Sequence, residues 1–448
     1  MPQDLSHLTE ALLLAAKSAG AEDADAVAIE GTALSIDVRE GKLEQAERSE
    51  GVDLGLRVFV GQKQAIVSAS DVKPDTLRQM AERAVAMAAE APDDPHIGLA
   101  DPDQLARGWD VAALELQDPS AEPAPGDLED DARRAEAAAR DVTGISQVQS
   151  ASAGYGRRQM HLATSAGFSG GFARTDRGLS VVAITGTGTE MERDYAGESR
   201  IFQADLPPPE EVGALAAERT LARAGARKPP TGAYPVLYDE RISSALIGHL
   251  VAAINGSAVA RGSSWLLDAL GQEVLPPTLS LIEDPHRPRV SGSRPFDAEG
   301  LPTRPRVVVE NGVLQGWTLD LATGRKLGLP STASAARGTS GPPSPASTNL
   351  ALTQGDRSAA ELARDMGTGL WVTSMIGASI NATTGDYSRG ASGYWVENGE
   401  IAYPVNECTI AGNLRDMLRT LVPGNDARGH LSRVVPSLLV EGLTVAGA

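Results

Sequence analysis

At 448 residues with 42% apolar side chains, the chain is long enough for two large domains or about three smaller ones, each with its own core. Its formal net charge of −19 opposes binding to DNA or to an anionic membrane surface, because both need a basic face. The single cysteine, Cys408, excludes an intrachain disulfide and is typical of a reducing compartment.

The first predicted element is an amphipathic helix within 1–20. It is not a signal peptide, because acidic residues lie before and inside its Leu-rich patch and no basic region precedes it. No stretch reaches the roughly 18 apolar residues of a membrane-spanning helix, so we expect a cytoplasmic protein. Period-2 alternation in Leu34–Val38 and Leu56–Val60 predicts an antiparallel meander. A helix opened by Pro74 completes an N-terminal α+β region over 1–117.

Two further regions follow. A Pro-rich linker at 118–127 leads into a middle α+β segment at 128–227, where a polar, Ala-rich helix precedes a β-rich block and a Pro-initiated helix. The region 231–448 is predicted to be a larger β-rich domain with an apolar helix, beginning near Arg241, packed on it. The sequence therefore predicts an α+β fold.

Two tight hairpins are predicted in the C-terminal region, at Asn311-Gly312 and Asn398-Gly399, because Asn and Gly tolerate the positive φ angles of a type I′ turn. Between them lies an 18-residue loop, Ser331–Thr348, that is rich in Ser, Gly and Pro. Loops of that length inside a compact domain are usually functional or disordered. This loop is therefore our candidate for contact with a partner or a peptide.

The histidines form no pattern typical of a metal site, since no two of them lie within five residues of each other. They are His7, His96, His161, His249, His286 and His430. His249 lies on the apolar helix, where its neighbours four residues away are alanines, so we interpret it as a packed or hydrogen-bonded side chain. We interpret Cys408 as a buried small apolar residue.

Two other motifs have a catalytic and a structural interpretation. Gly167–Gly171 matches G-x-S-x-G, with Ser169 as a candidate nucleophile. A nucleophile elbow needs a helix after the serine, whereas Phe172–Ile184 is predicted to be loop and strand, so a Gly-rich turn is the better explanation. The pair Glu283-Asp284 could bind a cation or act in hydrolysis. Neighbours in a strand point to opposite faces, however, which favours a solvated or structural role.

A resemblance to a known family runs through ordered segments along nearly the whole chain, from about Ala33 onward. These segments are Ser35–Val60, Pro295–Gly300, Val309–Leu314, Thr348–Leu350, Asn381–Ser388, Gly393–Gly399, Pro404–Val405, Ile410–Leu414 and Leu443–Gly447. Through them the chain resembles the TldD/PmbA family, historically called modulators of DNA gyrase, and most closely its PmbA branch, also called TldE.

The resemblance implies a peptidase scaffold without its metal chemistry. In catalytic members of the family, the apolar helix carries His-Glu-x-x-x-His; the two His and a Cys near the C-terminus hold zinc, and the Glu activates water. The matching positions here are Ile247, Gly248 and Ala252, which supply neither ligand nor base, and Cys408 lies in an earlier segment than the family's Cys. The resemblance therefore implies no catalytic or metal-binding residue in this chain, with zinc expected in a TldD-type partner.

Three functional hypotheses follow. The first is a non-catalytic subunit of a TldD-type zinc peptidase, which supplies chamber walls and peptide access for unfolded or flexible peptides. The second is a stand-alone homodimeric peptide-binding or adaptor protein without peptidase activity. The third is independent hydrolysis through an unrecognised site such as Ser169. Direct binding to DNA or gyrase ranks last because of the net charge.

Overall fold

A computed structural model of the protein describes residues 4–447. Its helices are α1 (Leu5–Ala19), α2 (Pro74–Glu90), α3 (Pro125–Arg140), α4 (Pro209–Leu221), α5 (Glu240–Ala253), α6 (Gly256–Ala260), α7 (Leu321–Leu327), α8 (Ala359–Met366) and α9 (Leu414–Arg419). Its strands are β1 (Asp23–Arg39), β2 (Lys42–Val60), β3 (Lys63–Ala69), β4 (Ile145–Thr164), β5 (Ser169–Thr185), β6 (Glu192–Arg200), β7 (Gly232–Tyr238), β8 (Leu281–Glu283), β9 (Arg306–Glu310), β10 (Val313–Leu314), β11 (Ala335–Ala336), β12 (Ser344–Pro345), β13 (Leu350–Leu352), β14 (Gly369–Ile380), β15 (Asp386–Glu397), β16 (Glu400–Asn413), β17 (Val422–Pro423), β18 (Arg433–Val434) and β19 (Leu438–Ala446). The predicted α+β class is confirmed.

Six antiparallel strands form the first sheet, in the order β3-β2-β1-β4-β5-β6. The first three strands come from the predicted N-terminal region and the last three from the predicted middle segment, so the two segments share one sheet. Side chains alternate along β1: Ala26 and Ala28 are buried against the helices, whereas Val27 packs with residues of the C-terminal region on the opposite face.

The helices of this half cover one face of the sheet. α1 and α2 pack on β1, β2 and β3 through an apolar cluster that includes Leu12, Leu54 and Leu56. α3 and α4 pack on the other end of the same face through small side chains such as Ala132 and Ala216, which let helix and sheet approach closely. The opposite face of the sheet is left for the C-terminal region and for a groove.

The C-terminal region contains a small closed barrel. Its strands follow the order β16-β15-β14-β7-β19, and pairing of β16 with β19 closes the ring. The hairpin between β15 and β16 has positive φ at Asn398 (53°) and Gly399 (80°), and that between β9 and β10 has positive φ at Asn311 (47°) and Gly312 (85°). Both predicted Asn-Gly hairpins are therefore confirmed.

The predicted loop Ser331–Thr348 is ordered and contains the short antiparallel pair of β11 and β12. It reaches across to the first sheet, where a Cβ added to Gly55 would lie 2.3 Å from the carbonyl oxygen of Thr339. Only glycine permits this approach, because real Cβ atoms do not come that near to a backbone oxygen. The loop thus joins the two halves of the molecule.

Two sequence predictions differ from the structure in detail. The segment Phe172–Ile184, predicted as loop and strand, lies entirely within β5. It pairs with β4 along its length and, from Arg177 onward, also with β6. Helix α3 begins at Pro125, inside the predicted linker, since proline is tolerated in the first helical turn. Across residues 4–447, every helix is too short or too polar to cross a membrane.

Candidate functional site

Helix α5, which carries the positions matched to the zinc motif, begins directly after β7. The Asp239 side chain accepts a hydrogen bond from the backbone N–H of Arg241 at 3.2 Å and caps the first turn. Leu246, Leu250 and Ala253 follow helical spacing and are buried in the largest apolar cluster of the protein. α5 is therefore fixed against the barrel by its apolar stripe.

The three motif positions have different surroundings. Ile247 is fully buried in that apolar cluster. Gly248 is half-buried, and a Cβ added to it would lie 3.1 Å from Nη1 of Arg433. Ala252 is exposed. None of these residues has a side-chain atom that can coordinate zinc or take a proton.

His249 follows Gly248 on α5 and packs edge-on against Tyr387, with ring centroids 5.7 Å apart. Its Nε2 is buried and has no hydrogen-bond partner among the described residues. Burial, and then the charge of Arg389, lower the pKa of His249 below its ordinary value. A neutral ring packed on an aromatic side chain is a structural arrangement, not a metal ligand set.

Cys408 lies on β16 and is buried. Its thiol donates a hydrogen bond to the carbonyl oxygen of Ala391 at 3.2 Å, and burial raises its pKa to about 11. The thiolate that zinc prefers is therefore disfavoured at neutral pH. Within residues 4–447, His, Cys, Asp and Glu side chains form no cluster of three or more suited to a metal ion. The residues present do not fit the zinc that the family implies.

The structure brings Ser169 next to a histidine. Ser169 Oγ lies 3.4 Å from Nε2 of His161, and Nδ1 of the same ring lies 2.9 Å from the hydroxyl of Thr9. Ser169 begins strand β5 and does not stand on a strand-to-helix elbow. Thr9 carries no charge to stabilise an imidazolium, and burial lowers the pKa of His161. The group therefore lacks the carboxylate and the nucleophile elbow of a hydrolytic triad.

The acidic pair Glu283-Asp284 has structural partners. Glu283 is buried and accepts a hydrogen bond from Nε of Arg306 at 2.7 Å and another from the Thr348 hydroxyl at 3.0 Å. Asp284 accepts a hydrogen bond from the backbone N–H of His286 at 2.9 Å. Glu283 thus holds the end of the Ser331–Thr348 loop, whereas the Asp284 carboxylate holds the turn that follows β8.

A groove of about 720 Å³ crosses the helix-free face of the first sheet. Residues of β1, β2, β4 and β5 form its floor, many of them glycines, and Gly338, Thr339 and Ser340 of the long loop overhang it. The length and composition of the loop marked it as a candidate for contact. The sequence alone does not show that the loop faces glycines of the first sheet, because the strand register and the loop position depend on distant contacts.

One rim of the groove is an open strand edge. Strand β3 pairs only with Leu54–Val60 of β2, so in the described structure Lys42–Asp53 has a neighbour on one side alone. Ser49, Glu50 and Gly51 of this edge line the groove. An extended peptide can add to such an edge through main-chain hydrogen bonds.

The architecture thus defines a class: a two-part α+β protein in which a helix-backed sheet and a small barrel meet at a groove. Three family models match consecutive parts of the chain. They are PmbA/TldA metallopeptidase domain 1 over residues 24–88, the central domain over 118–224 and the C-terminal domain over 231–447. The chain belongs to the PmbA/TldD metallopeptidase family.

Similar proteins match nearly the whole chain. Metalloprotease PmbA of Escherichia coli O157:H7 is 38% identical over 97% of this chain and 94% of its own. A PmbA homologue of Haemophilus influenzae is 35% identical over 99% and 96%. The crystal structure of a putative modulator of DNA gyrase from Bacteroides thetaiotaomicron superposes with a TM-score of 0.91 at 29% identity, covering all of both chains. TldE from Thermococcus kodakarensis, at 18% identity and a TM-score of 0.85, shares the fold over 98% of this chain and all of its own.

Proposed function

We propose that this chain is a non-catalytic subunit that assembles with a TldD-type zinc peptidase and helps to hold flexible peptides for cleavage. The observation that carries the proposal is the absence of any donor atom at Ile247, Gly248 and Ala252 on an otherwise intact α5. Ile247 is fully buried among apolar side chains, so this position contributes to packing. Zinc and the general base are expected on the partner, and a cytoplasmic location is part of the proposal.

The groove supports a role in peptide handling. It is open along the face of the first sheet, and the unpaired edge at Lys42–Asp53 offers backbone donors and acceptors to an extended chain. Most of the backbone of a folded protein is already hydrogen-bonded internally, so the groove favours unfolded or flexible peptides.

Co-expression with a TldD-type protein tests the proposal. The chain alone, the partner alone and the mixture are compared by size-exclusion chromatography, by zinc content and by cleavage of an unstructured peptide with and without a chelator. We expect a complex that cleaves and is stopped by the chelator, while the chain alone is inert and free of zinc. Stable self-association with peptide binding, and no complex with the partner, would instead support the stand-alone homodimer.

A further inference from the structure

A second cavity, of about 240 Å³, adjoins the groove and shares Ile29 and Arg158 with its lining. It lies between β4 and β5 on one side and segments of the C-terminal region on the other. Four guanidinium groups line it, those of Arg158, Arg174, Arg294 and Arg337. We call it the arginine cavity. Such a concentration of positive charge stands out in a chain with a net charge of −19.

Arg174 and Arg294 are held by carbonyl oxygens and not by carboxylates. Arg174 Nη2 donates to Ser293 at 2.9 Å, and Arg294 donates to Ala335 at 2.8 Å and to Ala346 at 3.1 Å. Neither makes an ion pair with a described carboxylate. Their charges are therefore oriented and only partly offset, by Asp176 near Arg174 and by Asp297 near Arg294. Burial, and then the nearby arginines, lower the pKa of Arg174 to about 10, at which it is still charged at neutral pH.

Arg337 reaches the cavity from the long loop, and its side chain is 1% exposed. It pairs with Asp25, but the same carboxylate also pairs with Arg57, so one negative charge serves two guanidinium groups. Nη2 of Arg337 and Nε of Arg294 are buried and have no hydrogen-bond partner among the described residues. A buried donor left unpaired is unfavourable, so an acceptor that reached either atom would be bound favourably.

The nearby acids do not cancel this charge. Asp297 lines the cavity, but its carboxylate accepts backbone N–H groups of Glu299 at 2.9 Å and Leu301 at 3.0 Å. Burial, and then Asp297, raise the pKa of Glu299 to about 8, so at neutral pH it is mostly protonated. The local arginines therefore outnumber the ionised carboxylates.

We propose that the arginine cavity binds a carboxylate of a peptide lying in the groove, either its C-terminal α-carboxylate or an acidic side chain. The inference rests on the proposed function in taking a peptide as the ligand. Met160, Phe172 and Phe296 supply apolar walls beside the guanidinium groups, which suits a side chain next to the carboxylate. The volume corresponds to about eight water molecules at ~30 Å³ each, enough for a terminal residue.

The charge at the other end of the groove favours a peptide over a nucleic acid. The groove shares Tyr155 and Asp176 with a cavity of about 450 Å³ that is rich in aspartates. These are Asp118, Asp127, Asp130, Asp131 and Asp176. A phosphate backbone running along the groove would be repelled there, whereas a peptide can place a carboxylate at one end only.

Fluorescence anisotropy with the full-length chain tests the proposal. The probe is a labelled, unstructured peptide without acidic residues, compared with its C-terminal amide and with an amide carrying one internal Glu. A charge-assisted hydrogen bond of about 1.5–3 kcal/mol predicts that amidation weakens binding by about 10- to 150-fold. If the α-carboxylate is the ligand, the internal Glu does not restore affinity; if a side-chain carboxylate suffices, it does.

Variants connect the effect to the cavity. Arg158→Gln is the first choice, because Arg158 is exposed and has no ion pair with a described carboxylate, so the fold does not depend on it. It should weaken binding of the carboxylate peptide about tenfold and leave the amide unchanged. Arg294→Met should act in the same direction. Arg83→Gln, an exposed arginine on α2, is the matched control and should change nothing.

Equal affinity of the carboxylate and amide peptides, or no effect of Arg158→Gln, would overturn the inference. So would displacement of the peptide by inorganic phosphate at concentrations where acetate has no effect. If the chain alone binds neither peptide, the carboxylate peptide and its amide are compared as substrates of the complex. Equal kcat/KM for the two peptides then overturns the inference, while the proposed function stands. Absence of binding to both the chain and the complex also overturns it. If no complex forms but the chain prefers the carboxylate peptide, the subunit role fails and the cavity assignment stands.

Discussion

The buried ion cluster that joins the long loop to the first sheet gives the sharpest stability prediction. Replacing Asp25 with asparagine removes the one carboxylate shared by Arg57 and Arg337. All three side chains are buried, with exposed fractions of 2%, 5% and 1%. Arg57 Nε donates to Asp25 at 2.7 Å. The substitution leaves two buried guanidinium groups without a counter-charge, which costs about 3–5 kcal/mol.

That loss is large against the total stability of a typical domain, about 5–15 kcal/mol. Urea unfolding at neutral pH, followed by circular dichroism, measures it. Limited proteolysis supplies a local readout, because release of Arg337 should make the Ser331–Thr348 loop accessible to protease. Asp75→Asn is the matched control: its pair with Arg78 spans 3.3 Å but is 85% and 61% exposed, so its loss should cost less than about 1 kcal/mol.

The pH dependence has a defined sign. Burial alone would raise the pKa of Asp25, but the charges of Arg337 and Arg57 outweigh it and the pKa lies below the ordinary value of 3.8. The stabilisation is therefore fully present above pH 3.8 and is lost as the pH falls through the lowered pKa. In Asp25→Asn, the unfolding free energy should therefore depend less on pH in the acid range than in the wild-type chain. A loss below about 1 kcal/mol at neutral pH, with an unchanged cleavage pattern of the loop, would refute the reasoning.

Three further predictions concern single residues. Burial, and then Asp297, raise the pKa of Glu299 to about 8. The unfolding free energy of the wild-type chain should therefore fall, relative to that of Glu299→Gln, as the pH rises from 4.5 to about 8. Urea titrations across that range test this, and the same pH dependence of the unfolding free energy in both proteins would contradict it. Ser169→Ala should leave peptide cleavage by the complex unchanged, because Thr9 and not a carboxylate holds His161; a loss of about tenfold or more in kcat/KM would restore Ser169 as a nucleophile. Cys408, with a buried thiol whose pKa is about 11, should resist Ellman's reagent in the folded chain and react fully in urea; rapid reaction of the folded chain would show that the barrel opens around it.

Local sequence patterns were enough to predict secondary-structure elements and the fold class. Asn-Gly pairs predicted both hairpins, since only a few residue types tolerate positive φ. The apolar period around Leu246 and Leu250 predicted α5 and its packed face. The resemblance then supplied the matching of Ile247, Gly248 and Ala252 to a zinc motif, which no local pattern in this chain could have suggested.

The groove and the arginine cavity were beyond prediction from the sequence. Asp25 and Arg337 lie 312 positions apart, and neither has a neighbouring residue that signals the pair. The loop Ser331–Thr348 was a candidate for contact because of its length, yet its composition did not show that it would pack on Gly55. Strand register and loop position arise from tertiary contacts, and a single sequence does not reveal them.

If the peptidase chemistry resides in a partner, the zinc must be bound there, and zinc stoichiometry decides this. Zinc content is measured by elemental mass spectrometry for the chain alone, for the TldD-type partner alone and for the purified complex. We expect no zinc in this chain and zinc in the complex in proportion to the partner. Zinc bound stoichiometrically to this chain alone, with cleavage that a chelator abolishes, would contradict it and would mean that Ile247, Gly248 and Ala252 do not mark a lost site.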